Sequence, residues 1–518
     1  MSKSEYGIGA RLLRKEDARH LAGRGRFVSD IEARGALEAA IVRSPVAHGH
    51  LRGLEIPEEH RSRVFTAEDF PDIKPIRAVP RVPGFKASDF PVFATDKVRY
   101  VGQPIAICLA ATRAEAEDIA SQVFADIEEL PAIVDAVEAI ENSPALLHEH
   151  WGNNVYIERD VDGGDIEAAR AAAKVTVSRE YRMNRQAAMP LEGRAVLADH
   201  DPRRDELVLH LASQGPHVMR LGIAECLGIR ERNLRVVSPD VGGGFGSKNR
   251  LMPEEVMVAA VALKTGRPVR WIEDRGENLT ANNQAREHFY RVTAYADDRG
   301  ILLGLEADVI VDAGAYSIWP SGPFMETGMA ARNLPGPYRL PALHVSTWTV
   351  ATNKPPLGPY RGVARPGACY AIERTIDEVA RAVGRDPVEV RRENMVRPEQ
   401  MPYDSIGGMK FDNGDYPQSV DKAAEAVGHK DIRAKQSAAL PDGRLIGVGL
   451  AAFSEQTAHG SAEWVARRWC RPTRPRRRAC TATARSSCWS ESTATARAWR
   501  RPSRRSRARS SACIPTTS

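Results

Sequence analysis

The sequence predicts a mixed α/β (α+β) fold, on three observations. Pro104–Ala110, Pro-Ile-Ala-Ile-Cys-Leu-Ala, is an apolar run of strand length that leads straight into a helix-start signal at Thr112. Arg291–Ala296 and Ile301–Val311 are strand-like runs on either side of Asp-Asp-Arg-Gly, the pattern of a hairpin turning at Gly300. Between Ala368 and Val383, residues Ile372, Ile376, Val379 and Val383 share one helical face.

In chain order, Leu37–Arg43 is the first predicted strand and Pro104–Ala110 a second, buried one. Thr112-Arg-Ala-Glu115 has the form of a capping box, in which the hydroxyl caps the helix and Glu115 reaches back. Ala116, Ile119, Ala120 and Val123 follow at helical spacing, so the helix is expected to fade near Pro131. From Asn154 onward longer strands alternate with helices. Val218–Leu227 is a helix stopped by Gly228, and Glu254–Lys264 begins after Pro253, a good first-turn residue. Gly384 stops the helix Ala368–Val383, and Asp386-Pro387 restarts the chain as an N-cap followed by an N1 proline.

Length and composition fit an ordinary globular chain of roughly two to four domains. No run of eighteen apolar residues exists, and the N-terminus carries no apolar signal core, so no membrane span and a cytoplasmic location are expected. The net charge of +6 hides a division. Residues 467–518 hold 15 arginines, no lysine and one acid, Glu491, giving +14 there and −8 in the remainder. Cys108, Cys226 and Cys369 are scattered through the acidic part, and Cys470, Cys480, Cys488 and Cys513 crowd the end. No cysteine spacing suggests zinc, an iron–sulfur cluster or a disulfide framework. Residues 467–518 lose all strand and helix periodicity and are expected to be disordered. An evolved nucleic-acid arm usually mixes lysine with arginine, and this composition is that of GC-rich DNA read out of frame. Nucleic-acid binding through this tail, with Trp469, Trp489 and Trp499 as stacking groups, is the rival class of function, and no nucleic-acid partner is expected.

The most informative segment is Val236-Val-Ser-Pro-Asp-Val-Gly-Gly-Gly-Phe-Gly-Ser-Lys248. Glycines there let backbone N–H groups approach a ligand closely. A tight structural turn and a phosphate loop are the other readings. The phosphate loop fails on spacing, since Ser247 precedes Lys248 and neither G-x-x-x-x-G-K-[ST] nor G-x-G-x-x-G is matched.

The glycine segment has company in a fixed order: Val42-Arg-Ser-Pro-Val-Ala-His48, Val98-Arg-Tyr-Val-Gly-Gln-Pro104, Arg185-Gln-Ala-Ala-Met-Pro-Leu-Glu-Gly-Arg194, Ser213-Gln-Gly-Pro-His217, Gly266-Arg-Pro-Val-Arg-Trp271 and Asn353-Lys-Pro-Pro-Leu-Gly-Pro-Tyr-Arg-Gly-Val-Ala-Arg-Pro366, then Ala371-Ile-Glu-Arg-Thr-Ile-Asp-Glu378. Over residues 10–466 this set resembles the molybdenum hydroxylase large subunits: xanthine dehydrogenase, aldehyde oxidase and aerobic carbon monoxide dehydrogenase. The resemblance implies an α/β-hammerhead domain over 1–150, a first molybdenum-cofactor-binding domain over 151–404, and the incomplete start of a second over 405–466. It implies a molybdenum–molybdopterin cofactor, with the cytosine dinucleotide form expected.

The same resemblance implies residue roles. Gln214 would donate an amide hydrogen bond to an oxygen on molybdenum, stabilising negative charge without an ion pair. Phe245 and Gly246 would supply backbone beside the metal, with Gly242, Gly243 and Gly244 permitting the approach. Arg361 and Gly362 would lie in a loop lining the site, so Gln214, Phe245 and Arg361 are the expected neighbours of the metal. The catalytic general base, a glutamate, lies in the family beyond the motifs quoted, and the 518-residue chain is expected to be inactive as written, truncated by a frameshift. Copper-containing carbon monoxide dehydrogenases carry Tyr-Arg-Cys, whereas here Arg361 precedes Gly362, Val363 and Ala364, so the loop resembles the non-copper group. Asn249 stands where purine oxidisers have an acid, so xanthine is not the expected substrate. The implied activity is hydroxylation of an aldehyde or N-heterocycle C–H bond with water as oxygen source. Electrons would pass to a [2Fe-2S] small subunit and an FAD medium subunit, in a dimer of heterotrimers. A carbon monoxide dehydrogenase large subunit is the alternative within the family.

Overall fold

In the computed structural model, residues 10–438 and 443–455 are described, apart from positions 79, 81 and 142. The N-terminal part lays down strands β1 (Leu37–Arg43), β2 (Gly49–Glu55), β3 (Val64–Phe65), β4 (Lys97–Val98), β5 (Pro104–Ala110) and β6 (Phe124–Glu129). β1 and β5 have the predicted bounds and pair antiparallel, Ala40 opposite Cys108. Every residue of β5 is buried, as its apolar run requires. The helix Arg113–Ser121 covers them, burying Ala116 and Ile119 against Ala40, Val42, Ala106 and Cys108.

Half of the expected capping box forms. The Glu115 N–H donates to Thr112 Oγ1 at 3.2 Å, but the Glu115 carboxylate turns to Arg63 at 2.5 Å, a charged partner in place of a backbone amide. The helix also stops at Ser121 instead of fading near Pro131. Beyond it Ala125 and Ile127 sit two apart and pack on Val98 and Ile105, so β6 forms and pairs antiparallel with β2.

Six further strands follow: β7 (Val155–Gly163), β8 (Val175–Gln186), β9 (Ala195–Asp201), β10 (Glu206–Leu211), β11 (Leu234–Val237) and β12 (Val269–Ile272). The larger sheet has the order β11-β10-β9-β12-β1-β5-β3. β12 lies parallel to β1, with Glu38 opposite Arg270, and antiparallel to β9. The sheet is therefore continuous across residue 150, and N-terminal strands share its hydrogen bonds with strands of the glycine-loop region. The helix Pro253–Thr265, buried from Pro253 to Ala262, packs on it.

The last long strands are β13 (Ala285–Ala296), β14 (Leu302–Asp312) and β15 (Leu343–Val350). They build a second sheet of order β7-β15-β14-β13-β8. β13 and β14 form the predicted hairpin, with Gly300 at φ +82° in the turn. β13 starts at Ala285, upstream of the predicted Arg291, because it pairs along its length with β8. The helix Arg365–Ala382 crosses β8 and β13, starting three residues before Ala368 because Pro366 is tolerated in its first turn. Gly384 follows it at φ +67°, and Asp386 Oδ1 accepts from the Val388 N–H at 2.8 Å, as expected. A two-stranded ribbon (Tyr403–Asp404 with Lys410–Phe411) and the helices Tyr416–Val427 and His429–Ser437 complete the described chain. Among the described residues no helix is long and apolar enough to cross a membrane. The expectations for 456–518, the arginine-rich tail included, lie outside the described residues.

Candidate functional site

Three segments converge at the ends of strands. β10 runs out into Ser213–Gly215, β11 into the glycine loop, and Gly358–Val363 leads into the helix Arg365–Ala382. Ser238 ties the first two together, its hydroxyl donating to the carbonyls of Leu211 and Ser213. The Gln214 N–H donates to the Lys248 carbonyl at 3.0 Å. The loop itself is held open by unusual backbone: Phe245 has φ +54° and Gly246 φ +112°. A Cβ on Gly244 would stand 2.5 Å from Gln214 Oε1, and one on Gly246 2.4 Å from the Pro359 carbonyl oxygen. Both positions therefore exclude a side chain so that the three segments can close together.

Gln214 is buried, and its side-chain Oε1 accepts the Gly246 N–H at 2.8 Å. That bond fixes the amide's orientation and leaves the NH₂ end as a donor with no partner among the described residues. The Arg361 N–H donates to the Phe245 carbonyl at 2.9 Å. Gly362 and Val363 then turn with φ +95° and +53°. The Arg361 side chain is exposed, and Phe245 is half exposed beside it. The structure thus brings together Gln214, Gly243, Gly244, Phe245, Gly246, Arg361 and Gly362, which lie far apart in the sequence.

Sequence reasoning missed the groups that hold this arrangement. Glu192 accepts the Gly242 N–H at 2.6 Å and the Lys248 ammonium at 2.8 Å through one oxygen. Lys248 is buried, and desolvation lowers its pKa although Glu192 opposes the shift. With its charge engaged beneath the loop, Lys248 is not presented to a ligand as a phosphate-loop lysine would be. Glu192 stands in the Arg185–Arg194 motif, so its position was flagged but its role was not. Arg286 had no signal at all. It and Glu287 interrupt β13 with φ +65° and +74°, its Nη2 donates to the Arg361 carbonyl at 2.6 Å, and its guanidinium lies 4.6 Å from the Tyr360 ring.

Beneath the loop lies a buried charge network. Arg194 Nε donates to Glu273 and Nη1 to Glu254, each at 2.8 Å, with Glu255 at 3.4 Å. Arg43 of β1 binds Glu254 and Glu277, each at 2.8 Å, and so joins the N-terminal strands to the site's scaffold.

Cys369 sits in the helix, with Sγ 3.9 Å from the Ala452 carbonyl, and burial together with Glu373 pushes its thiol up to about 11. A neutral thiol engaged there is a poor soft-metal ligand. Copper retained after dialysis is expected to be the same for Cys369→Ser and the parent chain; a stoichiometric copper lost only in the variant would contradict this. Among the described residues no group of three His, Cys, Asp or Glu could hold a metal ion.

Comparison with known proteins places both parts of the chain in one family. The sequence model of the molybdopterin cofactor-binding domain matches residues 147–395, and that of the aldehyde oxidase and xanthine dehydrogenase a/b hammerhead domain matches residues 22–131. The large subunit of nicotine 6-hydroxylase from Paenarthrobacter nicotinovorans is 34% identical over 472 residues, 88% of this chain and 57% of that one. The carbon monoxide dehydrogenase large chain of Hydrogenophaga pseudoflava is 34% identical over 481 residues, covering 88% and 59%. Among solved structures, quinoline 2-oxidoreductase from Pseudomonas putida 86 superposes with a TM-score of 0.80 at 33% identity, covering 84% of this chain and 56% of that one. CO dehydrogenase from Oligotropha carboxidovorans gives 0.74 at 31%, covering 83% and 56%. The chain thus spans somewhat more than half the length of each of these relatives.

Proposed function

The chain belongs to the large-subunit family of the molybdenum hydroxylases, and on that footing we propose that it holds molybdopterin in an enzyme that hydroxylates an aldehyde or N-heterocycle. The observation that carries this is the Gln214 amide, fixed by the Gly246 N–H, its donor end without a partner among the described residues. The residues fit the group in a second way: the Gly244 and Gly246 backbone is bare where a Cβ would collide with Gln214 or Pro359. When bound, the cofactor supplies the two-electron chemistry that adds oxygen from water to a C–H bond.

The protein's own contribution is positioning. Gln214 donates a neutral hydrogen bond where negative charge gathers, the bare loop lets backbone amides close on the ligand, and Arg361 brings a cation to the rim. Glu192 and Lys248 brace the loop's base through their 2.8 Å ion pair. We assign electron transfer to an FAD medium subunit and a [2Fe-2S] small subunit, in a dimer of heterotrimers in the cytoplasm, with the cofactor in its cytosine dinucleotide form. Glu192 is engaged by Lys248 and Gly242, and Glu326 by His288, so neither is assigned as general base. The 518-residue chain alone is expected to show no molybdenum-dependent turnover; turnover at any measurable rate would remove that expectation.

The test is the cofactor itself. The chain, expressed in a host that makes the pterin, should carry molybdenum and release a fluorescent pterin on oxidation. A preparation lacking both would overturn the reading. In an assembly that turns over, Gln214→Glu keeps the acceptor for Gly246 but removes the donor, and should lower kcat by about 10²–10³. An unchanged kcat would show that the amide donor has no part in the reaction.

A further inference from the structure

Arg250 lies four residues past the glycine loop and is only 8% exposed. Its Nη1 donates to the Asn249 carbonyl at 3.0 Å, while Nε and Nη2 have no hydrogen-bond partner among the described residues. That leaves open the guanidinium edge suited to gripping a carboxylate with two parallel bonds. No described carboxylate lies within ion-pair distance of Arg250. The acid whose charge it feels is Glu326, which already accepts from His288 Nε2 at 3.0 Å.

Arg286 depends on the same acid. It too feels Glu326, and its buried Nε has no partner. Both arginines feel the charge of one carboxylate that His288 already engages, and burial draws Arg250 down to about 10 and lowers Arg286 as well. A buried cation without a counter-charge is unfavourable until an anion joins it.

The place is the site's own wall. The Asn249 amide is packed against Gly215, next to Gln214, where a Cβ would stand 2.8 Å from its Oδ1. His288, the partner of Glu326, lies under Gly367 at the start of the helix that follows the Arg361 loop. Arg250 follows Asn249 directly in the chain and is tied to its carbonyl, so it starts from the wall beside Gln214.

We propose that Arg250, aided by Arg286, anchors a carboxylate on the substrate, so that the hydroxylated molecule is an organic acid held at a fixed distance from the C–H bond to be oxidised. This rests on the hydroxylase reading above. The same oxyanion chemistry would suit a phosphate of a bound dinucleotide, and the experiment separates the two sources.

The purified 518-residue chain would be titrated calorimetrically with benzoate and nicotinate, with their amides benzamide and nicotinamide, and with inorganic phosphate. The acids should bind at least tenfold more tightly than the amides, and R250Q should weaken the acids by about 10–100-fold with the amides unmoved. If R250Q does not fold, R250K, which keeps the charge but not the fork, should weaken the acids by about tenfold. Equal binding of acid and amide, or acid binding unaffected in the folded variant, would overturn the proposal. So would phosphate binding ahead of both acids in an Arg250-dependent way, which would give the cation to the cofactor. Failure of the hydroxylase reading shows separately, as a preparation without pterin or molybdenum that still binds acids through Arg250.

Discussion

Arg194→Met is expected to destabilise the chain by about 3–5 kcal/mol at pH 8, because it leaves Glu254, Glu255 and Glu273 buried without their shared counter-charge. Methionine fills much of the volume beside Trp271, whose ring lies 5.1 Å from the guanidinium, so the loss is mainly electrostatic. The pH dependence identifies it. Burial would raise Glu254, but Arg194 and Arg43 hold it below the ordinary carboxylate range. Glu255 goes the other way: burial and the neighbouring Glu254 raise it to about 7 against the pull of Arg194. A carboxyl whose folded pKa lies above its unfolded value binds more protons when folded, so stability falls as pH rises from the ordinary carboxylate range towards 7. Glu254 contributes stability present above its unfolded pKa, and lost as pH falls through the depressed folded value. Without Arg194 nothing opposes the burial that raises Glu255, and Glu254 keeps only Arg43, so the variant should recover part of its loss at pH 5. Glu255→Gln in the parent chain should flatten the decline between pH 5 and 7. Urea melts at pH 5, 7 and 8 check both, and a variant within about 1 kcal/mol of the parent at pH 8 would refute the account.

Gly246→Ala should abolish cofactor retention, to below about one tenth of the parent's molybdenum, and cost about 2–4 kcal/mol. The new methyl meets the Pro359 carbonyl oxygen at 2.4 Å, at a backbone φ of +112°. Relief requires the Gly358–Val363 loop to move away, breaking the contact from the Arg361 N–H to the Phe245 carbonyl. The same shift disturbs the bond that orients Gln214. Gly228→Ala is the control. Its φ of +67° is also left-handed, but a Cβ there meets nothing within 4 Å, so it should cost about 1–2 kcal/mol and leave molybdenum content unchanged. If both variants lose cofactor alike, backbone strain and not loop closure is responsible.

Local signals were legible in the sequence wherever the deciding physics is local. Thr112, Pro253, Gly228 and Asp386-Pro387 mark helix ends through groups within a few residues of each other, and their helices begin or end beside them. Glu115 shows the limit, since the half of its capping box that failed was taken by Arg63, a distant residue. The helix expected to run towards Pro131 became β6 because β2 offered a partner that periodicity does not record. The glycine loop could be recognised as a close approach, but not what it approaches. Gln214 was singled out through its motif, whereas Arg286 and Arg250 carry no pattern and acquire meaning only through burial and a shared acid. Arg194 is similar: arginine is normally a surface residue, and only the fold reveals three acids around it.

The parallel pairing of β1 with β12 also sets the timetable of synthesis. Glu38 and Arg270, adjacent across that ladder, are 232 residues apart. At translation rates of about 5–20 residues per second, β12 leaves the ribosome on the order of ten to fifty seconds after β1. During that interval β1 and β5 can pair with each other, but the far edge of β1 remains open to any other nascent strand. The N-terminal unit is therefore born with an adhesive flank, and its yield in the cell should depend on chaperone occupancy and on how quickly the glycine-loop region follows it out of the ribosome.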